Sequence, residues 1–427
     1  MTKLRWPAIH AWALYDFATT AFSMNVISTY FALWVTKEHG ASDLTYGLAK
    51  SLSMALVVIL APVIGAMSDR LGTRKPFILV STLSFVAAAI AIGFTGNVWV
   101  GLALYGFGNI GYQLSSVFYN AMLPALSPPE TMGRVSGYGR ALGYTGSLIA
   151  VFLGMAFATG SILGHPVGLP AGGSQAVFIP TALLVFAATI PLLMMRDPES
   201  AVPAAHAKGS LKEGLLQLRS DPRLKGVGAF LIGSFFFFDT INTIRDFMSI
   251  YLVKVVGLSE TGGSLQAFLA SLVICSLFGA LGWGWLADRT TPKTALMGVL
   301  AMLAVCFLAL VFVTDKLIVM RVLGPLLGVA FGGVLVTTRP LLTQLIPADR
   351  QGLFFGLFVL ANDVAAIAGP ITWGVVVKLL QGTGNLAYQA ALASQLVFLC
   401  IGIAFVASVP DPGKRRGGLM PLEDAAS

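Results

Sequence analysis

Charge is what this chain has least of. Of its 427 residues, 11% are Asp, Glu, Lys or Arg and 56% are apolar. Soluble globular domains carry roughly 25% charged residues, and the mean hydropathy here is +0.82. A soluble globular domain is excluded. Cysteine is scarce as well. Cys275, Cys306 and Cys400 sit inside apolar runs, where they behave as small core hydrophobes, and no disulfide framework or CxxC metal spacing exists. The four histidines, His10, His39, His165 and His206, lie away from the centres of apolar runs, so no metal site and no cofactor is expected. P-loop, HExxH and GxSxG patterns are missing, which supports neither ATP drive nor hydrolysis. The chain is not read as an enzyme. A basic patch interleaved with aromatics is also missing, so the net charge of +8 does not point to nucleic acid.

What fills the chain is apolar runs long enough for bilayer-spanning helices, which need about 20 residues. Strands of a membrane barrel would be only about 10 residues of alternating polarity. The reading is an all-α membrane protein with twelve spans: 9–35, 44–68, 76–96, 98–126, 134–158, 175–196, 226–255, 262–287, 294–314, 317–346, 351–379 and 386–409. The N-terminus has a basic start, but its apolar run is long, carries Asp16 and lacks a small-residue cleavage site, so it reads as an uncleaved first span. Twelve spans put both termini on one side. Lys3 and Arg5, Arg70, Arg74 and Lys75, Arg134, Lys208 to Lys225, Arg289 and Lys293, Arg350, and Lys414 to Arg416 all fall on that side. The opposite loops hold only Lys37, Lys254, Lys316 and Lys378, with 159–174 free of charge. Both termini are therefore expected to be cytoplasmic, in a bacterial-type inner membrane.

One connection is longer. DPESAVPAAHAKGSLKEGLLQLRSDPRLKG, 197–226, has the polar, Pro- and Gly-containing composition of a linker, and KEGLLQLR within it has the pattern of a short surface helix. It divides the chain into a first six-helix half (1–196), a cytoplasmic linker (197–225), a second six-helix half (226–409) and a cytoplasmic tail (410–427). The halves repeat. Gly65-x-x-x-Asp69-Arg70 matches Gly284-x-x-x-Asp288-Arg289 at an offset of 219 residues. At the same offset Pro128, Glu130, Gly133 and Gly137 meet Pro347, Asp349, Gly352 and Gly356. Two landmarks at one offset indicate a duplication of six spans, the plan of transporters whose halves flank a midplane site.

The loop Gly65, Asp69, Arg70, Gly72, Arg74, Lys75 resembles the signature loop of the major facilitator superfamily. The second half keeps Gly284, Asp288 and Arg289 and then departs to Thr-Thr-Pro-Lys. The resemblance covers essentially the whole chain and implies the major facilitator fold. The loop suits a latch. Gly65 and Gly284 permit close helix approach. Asp69 is expected near the start of span eleven, where free N–H groups favour an anion, and Asp288 near the start of span five. Arg350 and Arg134 are the cations at those starts. A purely topological role explains Arg74 and Lys75, but not an acid at the same place in both halves. WALYDFATTAF (12–22) and FYNAMLPALSPPETMGRVSGYGRALGYTG (118–146) further resemble the "unknown major facilitator" branch, related to vacuolar amino-acid effluxers, with a departure at Arg140.

In that superfamily spans one, four, seven and ten line a central cavity, and here they carry polar faces. Asp16, Thr20 and Ser23 share a face of span one. Tyr105, Asn109, Tyr112, Ser116, Tyr119 and Asn120 stripe span four. Asp239, Asn242, Thr243 and Asp246 share a face of span seven, with Arg245 set elsewhere. Arg339 on span ten is the repeat-equivalent of Asn120. A charge inside a membrane costs at least about 3 kcal/mol on insertion scales, so such groups are paired or functional. Arg140 and Tyr144 on span five lie near the cytoplasmic entrance, Asp363 is on span eleven, and Arg245 with Asp246 reads equally as an outer gate or an interfacial pair. Gly106-Phe-Gly108-Asn-Ile-Gly111 fits GxGxxG but lacks the strand and βαβ unit a dinucleotide loop needs. Gly324, Gly328 and Gly332 read as a packing seam and Gly369-Pro370 as a bend. Span five has no proline, unlike the drug/proton antiporter signature.

The expected function is secondary transport of a small polar solute, an amino acid or similar zwitterion, by alternating access in a monomer. Asn109, Tyr112, Asn120, Asp239 and Arg339 would contact it, and Asp16 or Asp239 would carry a coupling proton. A carboxylate does this when burial favours its neutral form in one state and a cation or substrate its ionised form in the other. A drug or lipid-like exporter of the same fold, and a non-transporting receptor or scaffold, remain as alternatives.

Overall fold

The computed structural model describes residues 6–71, 73–127, 129–162, 164–195, 224–259, 263–346 and 351–411. Its long elements are twelve helices. The first, α1 (Trp6–Phe22), runs on through wide π turns at Ser23–Tyr30 and Trp34–Glu38. Then come α2 (Asp43–Leu71), α3 (Lys75–Phe94), α4 (Val98–Leu126), α5 (Pro129–Thr159) and α6 (Phe178–Met194). After the connection follow α7 (Lys225–Lys254), α8 (Ser264–Arg289), α9 (Pro292–Phe312), α10 (Gly324–Leu345), α11 (Gln351–Leu379) and α12 (Asn385–Ser408). A two-stranded hairpin pairs Ser161–Ile162 with His165–Pro166 in the charge-free loop. Most of the 197–225 linker, KEGLLQLR, His206, Arg350 and the tail from 412 lie outside the described residues.

Helices follow from the apolar runs, because backbone groups in hydrocarbon must be satisfied within their own segment. Starts are set by local chemistry. Asn97 Oδ1 accepts from the Trp99 and Val100 amides at 2.9 and 3.3 Å, Thr291 caps α9 ahead of Pro292, and α3 has Pro76 in its first turn. Among the described residues, ten stretches are long and apolar enough to cross a membrane. The 17-residue α1 and the polar-striped α4 stand outside those ten.

Small residues decide the closest crossings. Along α5, Gly139 lies under the Trp12 ring and Gly146 under the Phe17 backbone, so α1 seats directly on it. Gly279 faces Val329, and Gly328 and Gly332 face Leu272 and Ser276, which locks α8 to α10. Elsewhere α3 packs on α4, and α7 on both α11 and α12. The principal contacts between α1–α6 and α7–α12 are α2 with α11 and α5 with α8.

Successive helices run in opposite directions, giving a terminal end (Trp6, Leu71, Lys225, Leu345) and a distal end (Glu38, Asp43, Lys254, Leu379). The distal end is closed. Gly47 abuts the Pro370 carbonyl and Gly374 abuts Leu44. Ser51 Oγ donates to the Ile367 carbonyl at 2.7 Å, Ser249 Oγ to that of Ser28 at 3.0 Å, and Gln266 Nε2 to Tyr30 Oη at 3.1 Å. Lys254 reaches Asp43 at 4.0 Å. Toward the terminal end, Gly65, Gly137 and Gly356 face open space, where an added Cβ would meet nothing within 4 Å.

Candidate functional site

A cavity of about 460 Å³ lies between the two groups of helices. Its walls differ in chemistry. α1, α4 and α5 give a polar wall with Asp16, Thr20 and Ser23, then Tyr112, Tyr119 and Asn120, then Arg140 and Tyr144. α7, α8 and α10 give a largely apolar one, with Ile241, Met248, Leu269, Leu272, Phe331 and Val334. Asn242, Arg245, Ser249 and Ser276 interrupt it, and Asn242 Nδ2 donates to Oδ1 of Asn362 on α11 at 3.1 Å.

The polar wall is organised around Asp16. Its carboxylate is nearly buried and lies 3.8 Å from Arg140 Nη1, and Arg339 is within electrostatic reach of both. Gly143 makes the room, since a Cβ there would lie 2.9 Å from Asp16 Oδ2 and 3.0 Å from Thr20 Oγ1. Tyr119 is fixed by Trp12, whose ring stacks on it at 4.4 Å and whose Nε1 donates to its carbonyl at 3.0 Å.

Other expected contact residues are placed elsewhere. Asn109 is buried between helices, donating to Ser53 Oγ at 2.8 Å. Asp239 and Thr243 are wholly buried, and their oxygens face the backbone of Gly369, ahead of Pro370 in α11. Asp246 is wholly buried too, 3.5 Å from Lys50 Nζ and 3.7 Å from Arg245 Nε. Asp363 is half-buried on α11 and Arg339 is exposed on α10; neither is among the residues that line the cavity. Arg245, which the helical spacing sets on a different face, lines the cavity. The reason is geometric. Asp239, Thr243 and Asp246 recur at i, i+4 and i+7 and turn toward the neighbouring helices, while Ile241, Asn242, Arg245 and Met248 take the cavity side.

The sequence profile of the Major Facilitator Superfamily matches residues 17–416. The chain belongs to that superfamily. A relative in Bacillus subtilis (strain 168), an uncharacterized MFS-type transporter, YxiO, is 26% identical over 423 residues, covering 94% of each chain. The multidrug resistance protein MdtG of Yersinia enterocolitica is 23% identical over 363 residues, 84% of this chain and 83% of that one. Among solved structures, a bacterial homologue of the human lysosomal transporter Spinster, inward-facing and occupied, superposes with a TM-score of 0.75 at 16% identity, covering 95% of this chain and 97% of that one.

In this major facilitator chain the signature loops are at the terminal end. Arg74 donates to the Ala121 carbonyl and Lys75 to that of Met195. Arg289 stacks over Trp285, 4.1 Å from the ring centre. Asp288 is exposed beside a recess formed with Gly284, Pro340 and Gln344, against α10. The side chains of Asp69, Arg70 and Arg134, and all of Arg350, lie outside the described residues. Two residues of consequence were not picked out by the sequence reading. Lys50 had a visible signal, a lysine in the apolar run GLAKSLSMALVVI. Gly143 had none, since its role is to leave space for another helix's carboxylate.

Proposed function

We propose that the protein is a secondary active transporter that carries a small organic solute by alternating access. The observation that carries this reading is the central cavity, walled by both groups of helices, closed at the distal end and open toward the terminal end. In this reading the twelve helices are twelve spans, in halves 1–196 and 226–409, rocking about the cavity. The clustering of basic residues at the terminal end makes it the cytoplasmic side, so the state is inward-open. The working unit is a monomer, and Asp16 or Asp239 carries a proton as coupling ion.

For the cargo, the Asp16–Arg140 pair supports an amino acid or similar zwitterion. The apolar wall of α7, α8 and α10 favours a second reading, a drug-like solute, in keeping with the name of the MdtG relative. Purified protein in proteoliposomes separates them. A labelled amino-acid mixture should enter above empty vesicles, faster under an imposed pH gradient, if the first reading holds. Gradient-independent exchange removes proton coupling, and no entry removes the amino-acid reading. In a coupled protein, Asp16→Asn should abolish the gradient dependence; a gradient response unchanged in that variant leaves Asp239 as the proton carrier.

A further inference from the structure

Two cations at the distal end of the cavity, Lys50 and Arg245, take no part in the coupling or latch roles. Both share one acid. Asp246 lies 3.5 Å from Lys50 Nζ and 3.7 Å from Arg245 Nε, beyond hydrogen-bond length in both cases. Lys50 and Asp246 are each only 1% exposed. The Arg245 side chain is 45% exposed and faces the cavity. Counted as ionised, the three groups carry one more positive charge than negative. Lys50 is buried against Asp246 and faces its charge at 3.5 Å without a hydrogen bond, while the guanidinium of Arg245 faces the cavity with donors for whatever enters. The mouth has the same sign, with Arg140 and Arg339 near a single acid, Asp16.

We infer that the cargo is an organic anion with an apolar body, its carboxylate or phosphate head held by Arg245 and its body along the wall of Ile241, Met248, Leu272 and Phe331. The inference rests on the transport reading of this cavity. Positive charge facing the cavity attracts an anion and repels an ammonium group. A guanidinium presents a planar fork that matches carboxylate and phosphate oxygens. A cavity of about 460 Å³ lies in the roughly 300–1,000 Å³ range of drug-sized sites, so a compact amino acid would leave much of the apolar wall uncovered. Lys50 is a positioning residue, acting through Asp246.

The test is equilibrium binding to the purified full chain in lipid nanodiscs with four probes on one frame: 4-phenylbutyrate, 4-phenylbutyl phosphate, 4-phenylbutylamine and 4-phenylbutanol. The two anions should bind and the amine and alcohol should not, and the stronger anion identifies the head group. Arg245→Gln should weaken anion binding at least about tenfold, with Arg245→Lys retaining part of it. Lys50→Gln should weaken it as well, because Asp246 then takes Arg245 for itself. Adding Asp246→Asn to Lys50→Gln should restore binding to within about threefold, a rescue that a purely structural role for Lys50 would not give. Equal binding of the amine, no binding of any probe at millimolar concentration, or wild-type binding by Arg245→Gln overturns the inference. The same probes in proteoliposomes keep the two readings apart. Anions that bind but do not cross overturn transport alone. An amine that crosses while the anions do not overturns the inference alone.

Discussion

At the scale of single residues, two glycines three positions apart on α5 predict different outcomes.

 Gly143 and Gly146 both lie against α1. At Gly143 an added Cβ meets the tips of Asp16 and Thr20, side chains that can swing aside. At Gly146 it meets the backbone of Phe17, which cannot move without parting the helices. Gly143→Ala should therefore leave the thermal midpoint nearly unchanged, yet alter solute binding by pushing Asp16 away from Arg140. Gly146→Ala should lower stability by about 1–3 kcal/mol, as overpacking does. Unfolding midpoints of the two purified variants, read beside their binding curves, check the contrast. Equal loss of stability in both would show that α1 and α5 do not pack as described.

At the scale of elements, helix faces were legible in the sequence, but what each face meets was not. Thr20 and Ser23 fall on one face of α1 with Asp16, and all three line the cavity. The sequence grouping on α7 takes in Asp239, Asn242, Thr243 and Asp246, yet of these Asn242 lines the cavity while the other three turn to neighbouring helices. Periodicity fixes which residues point together; only tertiary packing fixes the direction. The distal closure of α2 on α7 and α11 is a case in point, because Lys50 meets an acid 196 positions away in the chain. Removing one partner of a buried pair costs about 3–5 kcal/mol. Asp246→Asn leaves Lys50 and Arg245 facing each other without an acid, so it should shift the population toward a distal-open state by about a hundredfold or more. A cysteine at Ser28, which lines the distal part of the cavity, should then react with a membrane-impermeant thiol reagent added from the distal side. Lys50→Met with Asp246→Leu should restore protection, since a well-packed apolar pair replaces a buried ion pair at little or no cost. Unchanged labelling in Asp246→Asn would mean that glycine-mediated packing alone keeps the distal end shut.

At the scale of the molecule, the number and order of the long helices followed from apolar runs. The conformational state did not. A sequence that supports alternating access must encode contacts for both states, and nothing in the residue pattern says which set is made. The structure makes the distal set: Gly47 on Pro370, Gly374 on Leu44 and Ser51 on Ile367 all join α2 to α11. At the other end of the same two helices, Gly65 and Gly356 face open space. In the proposed rocking motion, where each helix moves with its own half, parting the distal contacts brings the terminal ends of α2 and α11 together. In a background with Cys275, Cys306 and Cys400 replaced, a cysteine pair at Gly65 and Gly356 should not cross-link in the state described. Adding Asp246→Asn should make the pair reactive, and closing the cross-link should arrest transport until it is reduced. A pair that never forms a bond, even when the Ser28 site becomes reactive from the distal side, would show that the distal end opens by local loosening and not by rocking of two halves.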